Sequence, residues 1–165
     1  MRRLITKAYE AKFSRCGHYR YALWRRWSAG SNLLFVMLNP SLADETVDDP
    51  TVRRCIGFAR TWGFGSLSVA NLFAFRTPHP SILKTHPQPV GRFNDRWLME
   101  LQQRADLVVA AWGNHGVHQG RAEKVRSLLK APCILGLTKL GQPMHPLYAP
   151  GKTPWILWED QQNRI

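Results

Sequence analysis

Residues able to do acid–base or hydrogen-bonding chemistry follow a short apolar run in the first third of the chain. Residues 33–38 are all apolar, and the chain then turns at Asn39 and Pro40. An asparagine amide both donates and accepts, so it can hold a water molecule or pair with the edge of a nucleobase, but it cannot act as a general base. Four carboxylates that could activate water follow within ten residues: Asp44, Glu45, Asp48 and Asp49. We expect any active site to begin here.

Later apolar runs also end in polar residues, namely Asn71, then Asn114 or His115, and then a loop that carries His145. A histidine can donate a hydrogen bond to a developing oxyanion. Two asparagines and one histidine at one edge would suit the cleavage of a bond whose leaving group becomes an anion, such as a departing nucleobase. Simpler interpretations remain open for each residue: a turn before proline, a satisfied core amide and an ordinary loop histidine.

The elements that must position these residues can be predicted from apolar runs and turn signals. Runs at 33–38, 67–72, 107–112 and 133–137 predict strands buried on both faces, and 19–27 predicts an outer strand. Helices are predicted from about Pro50, with Asp49 as N-cap, and at 90–105 and 119–130. The four prolines within 77–90 predict a stiff loop.

This alternation predicts one α/β domain over residues 1–165, a three-layer α/β/α sandwich with a largely parallel central sheet. Residues 1–18 are expected to be an irregular basic segment. In open sheets of this kind, ligands bind at the carboxyl ends of the strands.

The positive charge of the chain predicts a polyanionic partner, nucleic acid first. The net charge is +12, and residues 1–30 contain eight basic residues against the single acid Glu10. We expect DNA phosphates to contact Arg25, Arg26, Arg76 and Lys139. A solvated surface that only keeps the protein soluble is the alternative.

Several classes of protein are not expected from this sequence. The basic N-terminus lacks the apolar core of a signal peptide, and no apolar run approaches the roughly 20 residues of a membrane helix. Cys16, Cys55 and Cys133 are too few and too scattered for a disulfide framework, so we expect a reducing, cytoplasmic location. Neither Cys16 with His18 nor His115 with His118 completes a metal site, so no metal or cofactor is predicted.

Four motifs in a fixed order resemble the uracil-DNA glycosylase superfamily. They are residues 37–40 (MLNP), 68–71 (SVAN), 107–113 (LVVAAWG) and 145–148 (HPLY), each at or after a predicted strand. The superfamily has G-x-(D/N)-P, a base-reading asparagine, a V-x-L-L-W-G type strand and H-P-S-P-L at the corresponding places. The whole chain resembles most a bacterial family known only as a domain of unknown function, DUF1643, which implies no activity.

The resemblance implies a role for each matching residue. Asn39 would hold the attacking water, Asn71 would pair with a flipped-out base, and His145 would face the base oxygen that becomes negative. Pro40 and Phe73 would complete the base-binding site.

Leu147 or Tyr148 would wedge into the duplex where the base had been. The general base is not implied by the resemblance; we expect it among the acids that follow Asn39, as Asp44 or Glu45. The sequence departs from the family at Met37, which stands where the family has glycine, and in the last motif. Three cysteines, where one branch uses four, predict no iron–sulfur cluster.

The favoured interpretation is a DNA glycosylase-like hydrolase that excises a damaged or modified base. One alternative is a non-catalytic nucleic-acid-binding module on the same scaffold, favoured by the missing glycine and the lack of an obvious general base. Another is an enzyme that processes free nucleosides or nucleotides, or that modifies a base without removing it.

Overall fold

A computed structural model describes residues 8–162, which form one seven-stranded sheet and five α-helices. The strands are β1 Tyr9–Phe13, β2 Arg20–Arg26, β3 Asn32–Met37, β4 Ser66–Asn71, β5 Leu107–Ala110, β6 Cys133–Ile134 and β7 Ile156–Leu157. The helices are α1 Pro50–Thr61, α2 Pro80–Thr85, α3 Asn94–Arg104, α4 Arg121–Leu128 and α5 Trp158–Gln162. The predicted α/β class is confirmed.

The sheet is mixed, and only its centre is parallel. The strand order is β1-β2-β4-β3-β5-β6-β7, with parallel pairing from β4 through β3 and β5 to β6. The pairs β1–β2, β2–β4 and β6–β7 are antiparallel. The prediction of a largely parallel sheet is therefore correct only for the four central strands.

The N-terminal segment contributes a strand, which corrects the expectation that residues 1–18 are irregular. Residues 9–13 pair with β2 and cover its outer edge, so β2 is an interior strand and not the outer one. The short sequence YEAKF carries little strand signal by itself, and the order comes from pairing with β2. Residues 1–7 of the predicted irregular segment lie outside the described part of the chain.

Helices cover both faces of the sheet because side chains alternate along each strand. Leu34 and Val36 of β3 belong to a core that also contains buried residues of α3 and α4. Leu33 and Phe35 belong to a second core, on the opposite face, with buried residues of α1. The central strand is thus buried on both sides, as its continuous apolar run predicts.

Helix α1 begins where the sequence predicts. The Asp49 side chain accepts a hydrogen bond from the Val52 amide at 2.9 Å, and Pro50 occupies the first helical position. The chain leaves the helix at Gly63, whose φ of +84° is the left-handed conformation that favours glycine. Both ends of α1 are therefore specified locally.

The proline-rich stretch differs from its prediction, because residues 80–85 form the short helix α2 with Pro80 in its first turn. Proline is tolerated there, since the first amides of a helix have no intrahelical acceptor. None of the helices among residues 8–162 is both long enough and apolar enough to cross a bilayer.

Candidate active site

A cavity of about 780 Å³ lies beyond the carboxyl ends of the parallel strands. Its walls come from the chain after β3, the first turn of α1, residues 77–80, residues 112–115 after β5, and parts of residues 137–148 after β6. The sequence predicts a site at this edge of the sheet, because ligands of open α/β sheets bind there.

Asn39 lines the cavity in a fixed orientation. Its Nδ2 donates to the backbone carbonyls of Thr77, Pro40 and Phe75 at 2.8, 3.1 and 3.3 Å. Three acceptors around one atom identify it as the amide nitrogen. Oδ1 accepts no hydrogen bond from residues 8–162, so the oxygen is the group left for a water or a ligand.

His145 lines the same cavity from the loop after β6. It precedes a short 3₁₀ turn, Pro146–Tyr148, and its Nδ1 accepts a hydrogen bond from the Leu147 amide at 3.2 Å. Burial lowers the pKa of His145 from its ordinary value of 6.5, while the negative charge of Asp49 acts in the opposite direction. The ring is therefore neutral at physiological pH, and its proton lies on Nε2.

The acid in the cavity is Asp49, which the sequence predicted as the helix cap and also named among four carboxylates that could activate water. The side chain is 8% exposed, with Oδ1 accepting from the Val52 amide at 2.9 Å and Oδ2 from the Ala43 amide at 3.2 Å. Capping and a place in the cavity are compatible, because α1 begins at the cavity wall. Helix-start signals near a strand end could have indicated this second position.

The two acids proposed as a general base lie outside the cavity. Asp44 folds its Oδ1 back onto the Thr46 amide and hydroxyl and the Val47 amide, at 2.8 to 3.0 Å. The hydrogen bond from the Thr46 amide makes the largest contribution among the contacts that lower the pKa of Asp44. Glu45 is exposed. Neither residue lines the cavity with Asn39 and His145.

The residues expected to bind a base are buried and do not line the cavity. Asn71 is 1% exposed, and neither polar atom of its amide has a hydrogen-bond partner among residues 8–162. It pairs in register with Met37, which does line the cavity. Phe73 is fully buried beside the His118 ring, and Pro40 is also buried, so neither lines the cavity.

The two residues expected to act as a wedge lie at the cavity and are exposed. Leu147 and Tyr148 both line it, with exposed fractions of 47% and 82%. The Tyr148 ring meets the His145 ring edge-on, with 5.9 Å between centroids. An exposed aromatic ring therefore lies directly beside the histidine.

Arg25 is not available to a DNA phosphate, which corrects its predicted role. It is 1% exposed, and its Nε contacts Asp48 Oδ1 at 2.7 Å. Its other nitrogens donate to backbone carbonyls, among them those of Asp44 and Val47. Alternation along β2 places Arg25 on the same face as Leu23, toward the loop that precedes α1.

The other three predicted phosphate contacts occupy different environments. Arg76 is half-buried and donates to the carbonyls of Ser41 and Leu42 at 2.9 and 3.2 Å. Arg26 is exposed and lies away from the cavity, whereas Lys139 is exposed and lines it. Only Lys139 of the four combines exposure with a place at the cavity.

Arg20 is a cavity residue that the sequence did not single out. It is 2% exposed, and its Nη1 donates to the Ala43 carbonyl at 2.7 Å. Burial lowers the pKa of Arg20 to about 10, against the opposing effect of Asp49. An arginine in an aromatic, basic strand resembles a surface residue, and no local signal distinguishes it.

Metal ligands do not cluster in the described structure. Among residues 8–162, no group of three or more His, Cys, Asp or Glu side chains could hold a metal ion. Asn114, the polar residue after β5, lines the cavity and accepts a hydrogen bond from the Thr138 hydroxyl at 2.6 Å.

Comparison with known proteins identifies the family. No curated protein and no solved structure matches the chain. A model of the family described as "Protein of unknown function (DUF1643)" matches residues 20–147, a range that contains β2 to β6 and every cavity residue discussed above except Tyr148. The match covers well over half of the sequence and confirms the resemblance drawn from the whole chain. The protein therefore belongs to the DUF1643 family.

Proposed function

We propose that the protein is a hydrolase of N-glycosidic bonds that excises a damaged or modified base from DNA after the nucleotide has been flipped out. The observation that carries this proposal is that Asn39, Asp49 and His145 line one cavity. Its volume of about 780 Å³ lies within the range of small-ligand sites and leaves room for a base with its sugar. A uracil-DNA glycosylase-like fold belongs to the same proposal, supported by the parallel sheet centre with helices on both faces.

The reaction begins with water held by the free Oδ1 of Asn39. Water oxygen bonds to the sugar C1′ as the bond from C1′ to the base nitrogen breaks, and the electron pair leaves with the base. Asp49 stabilises the positive charge that develops on the sugar and takes a proton from the water. Its two oxygens already accept backbone N–H bonds, but a carboxylate has lone pairs for further donors.

His145 acts on the leaving group as a neutral donor. Since Nδ1 already accepts the Leu147 amide, Nε2–H is the donor that can stabilise negative charge on a base oxygen. A neutral imidazole donates without having to carry a positive charge into a buried site. Burial favours this form, because it lowers the pKa of His145.

Asn71 supports a base-reading role through its unpartnered amide. Buried polar groups in folded proteins are normally hydrogen-bonded, so two orphaned atoms on one side chain favour a partner that is bound only in the complex. In the proposed route of the base, the side chain of Met37, the register partner of Asn71 and a cavity residue, would move aside to give access to this amide. Methionine is flexible enough to yield by changing rotamer.

DNA would approach the cavity mouth through the exposed side chains there. Leu147 or Tyr148 would fill the gap left by the base and offset part of the few kcal/mol that unstacking costs. The net charge of +12 and Lys139 at the cavity favour the phosphate backbone.

The test uses duplex and single-stranded oligonucleotides that carry uracil, hydroxymethyluracil or another modified base. The proposal expects alkali-labile abasic sites, which disappear with Asn39→Ala and fall at least about 100-fold in rate with Asp49→Asn. The double variant Asp44→Asn/Glu45→Gln is the matched acidic control and keeps the wild-type rate. A complete panel without abasic product contradicts the proposal.

A non-catalytic nucleic-acid-binding module is the second candidate, favoured by the position of Asn71 outside the cavity. In that case we expect DNA binding that weakens with salt and is unchanged by His145→Ala. We also expect no excision of any base.

A further inference from the structure

Arg20 differs from the other deeply buried arginines in lacking a carboxylate partner. Arg25 and Arg121, 1% and 4% exposed, each contact an acid at 2.7 Å, Asp48 and Asp95 respectively. Arg20 is equally buried, yet no carboxylate among residues 8–162 lies within 4.0 Å of its guanidinium nitrogens. Buried charges in proteins are normally paired, so this difference calls for an explanation.

The donors of Arg20 are largely unused in the described structure. Nη1 donates to the Ala43 carbonyl, but Nε is buried without a partner, and Nη2 makes no hydrogen bond with residues 8–162. Asp49 is the acid whose charge acts most strongly on Arg20, but its oxygens accept backbone amides and no bond from the guanidinium. A planar guanidinium with two free donors is the shape that binds a carboxylate or phosphate in a fork.

The charges around the cavity favour an acidic ligand as well. Arg20 and Lys139 contribute two positive charges to its lining, and Asp49 contributes one negative charge. The lining is therefore net positive at neutral pH, in a partly enclosed space where water screens charge less than at an open surface.

From these contacts we infer that the cavity binds its ligand through an acidic group held by Arg20. This inference rests on the proposed function for the identity of the ligand as a nucleotide, and it names the substrate class. The acidic group is either a phosphate of the nucleotide or a carboxylate attached to the base. Binding through Arg20 does not require that the glycosidic bond be cleaved.

Calorimetric titration of the full chain with two matched pairs of probes tests the inference. Uridine 5′-monophosphate is compared with uridine, and 5-carboxyuracil with 5-methyluracil. We expect the acidic member of at least one pair to bind about 10-fold or more tightly than its neutral partner. The pair that discriminates identifies the source of the acidic group, phosphate or base.

Three variants separate the cavity role of Arg20 from its contact with the loop between β3 and α1. Arg20→Gln removes the charge and is expected to abolish the preference for acidic probes. Arg76→Gln is the matched control, because Arg76 also donates to carbonyls of this loop but does not line the cavity, and it keeps the preference. Arg20→Lys, which keeps the charge without the fork, is expected to retain only part of it.

The wild-type comparison needs no variant, so the test holds even if Arg20→Gln fails to fold. Equal affinity of acidic and neutral probes, no binding of any probe at millimolar concentration, or a preference that survives in folded Arg20→Gln overturns the inference. A clear preference for acidic probes together with no excision of any base contradicts the glycosylase proposal alone.

Discussion

At the scale of single residues, the site depends on polar atoms that are fixed by backbone groups. Asn39 is oriented by three carbonyls, Asp49 by two amides, and His145 by the amide of Leu147. In Asn39 and His145 these bonds use one polar atom and leave the other, whereas both oxygens of Asp49 accept an amide and only their remaining lone pairs are left. The same bonds make the residues important for stability, so stability and activity must be measured separately.

Variants of Asp49 allow the contribution of one site residue to stability to be measured separately from activity. Asp49→Ala removes the cap of α1 and leaves the Ala43 and Val52 amides without acceptors, so we expect the free energy of unfolding to fall by about 2 kcal/mol. Asp49→Asn retains a capping oxygen and is expected to recover at least half of this loss. Urea unfolding of both variants measures the difference. Equal stability of the alanine variant and the wild-type protein would show that the cap contributes nothing.

The lowered pKa of His145 makes the stability of the protein depend on pH. Its folded pKa lies below 6.5, so the unfolded chain binds more protons between the two values, and stability falls as the pH drops below about 6.5. His145→Asn keeps an oxygen to accept the Leu147 amide but does not titrate. Its urea midpoint is therefore expected to change less than that of the wild-type protein between pH 7.5 and pH 5.

The control for this experiment is His79→Asn, at an exposed histidine that makes no side-chain cap bond. It should follow the wild-type pH dependence. His115, whose pKa burial also lowers, accounts for a slope that remains in His145→Asn. A slope of stability against pH that is unchanged in His145→Asn would rule out a contribution from His145.

At the scale of elements, three arginines hold the loop between β3 and α1. Arg20, Arg25 and Arg76 donate to carbonyls of residues 41–47, and Arg25 also contacts Asp48. A loop held by its carbonyls presents its next residues, Asp49 and the start of α1, in one position. The acids of this loop are thus used internally or left in solvent, and only Asp49 reaches the cavity.

Arg25 and its neighbour Arg26 form a matched pair for testing this loop. Arg25→Ala leaves Asp48 and several buried carbonyls without a donor, and we expect the free energy of unfolding to fall by about 3–5 kcal/mol. Arg26→Ala, at an exposed site one residue further on, is expected to change it by less than about 0.5 kcal/mol. Denaturant unfolding measures both free energies. A similar small effect at both sites would contradict the role of Arg25 in holding the loop between β3 and α1.

At the scale of the whole molecule, the excess positive charge of +12 governs association with polyanions. The structure reduces the number of arginines that can contribute, because Arg25 and Arg121 are buried and paired with Asp48 and Asp95. In the proposed complex with DNA, contacts to the phosphate backbone would therefore come from exposed residues such as Lys139 and Arg26.

The logarithm of the DNA association constant, measured by fluorescence anisotropy, is expected to fall linearly with the logarithm of salt concentration. Lys139→Ala, at the cavity, should weaken binding and reduce the salt slope by about one. Lys124→Ala is the control, since Lys124 contacts Asp95 at 3.4 Å and does not line the cavity. An affinity that does not depend on salt would contradict DNA as the partner.

Much of the fold could be predicted because its signals are local. The run at 33–38 and the Asp49-Pro50 helix start are each legible within a few residues, and both predictions agree with the structure. Residues 9–13 could not be predicted in the same way, because β1 exists through its pairing with β2. Helix α2 was missed because prolines mark both a loop and a first helical turn.

The residues of the candidate site also differ in how far the sequence predicts them. Asn39 and His145 follow strands whose carboxyl ends meet, so the sequence indicates that they come together, and both line the cavity. Asn71 ends a neighbouring strand in register with Met37, which lines the cavity, but Asn71 itself is buried by packing and does not line it.

The sequence by itself determined the buried central strand, the start of α1, the basic charge and the order of the polar strand ends, since each depends on neighbours along the chain. Only the tertiary structure decided which arginines are buried, which of four acids lines the cavity, and that Asn39 and Asn114 line it while Asn71 does not. Those outcomes depend on burial and on partners that are distant in sequence, such as Ala43 for Arg20 and Asp48 for Arg25. A residue type limits what a side chain can do, but packing decides what it contacts.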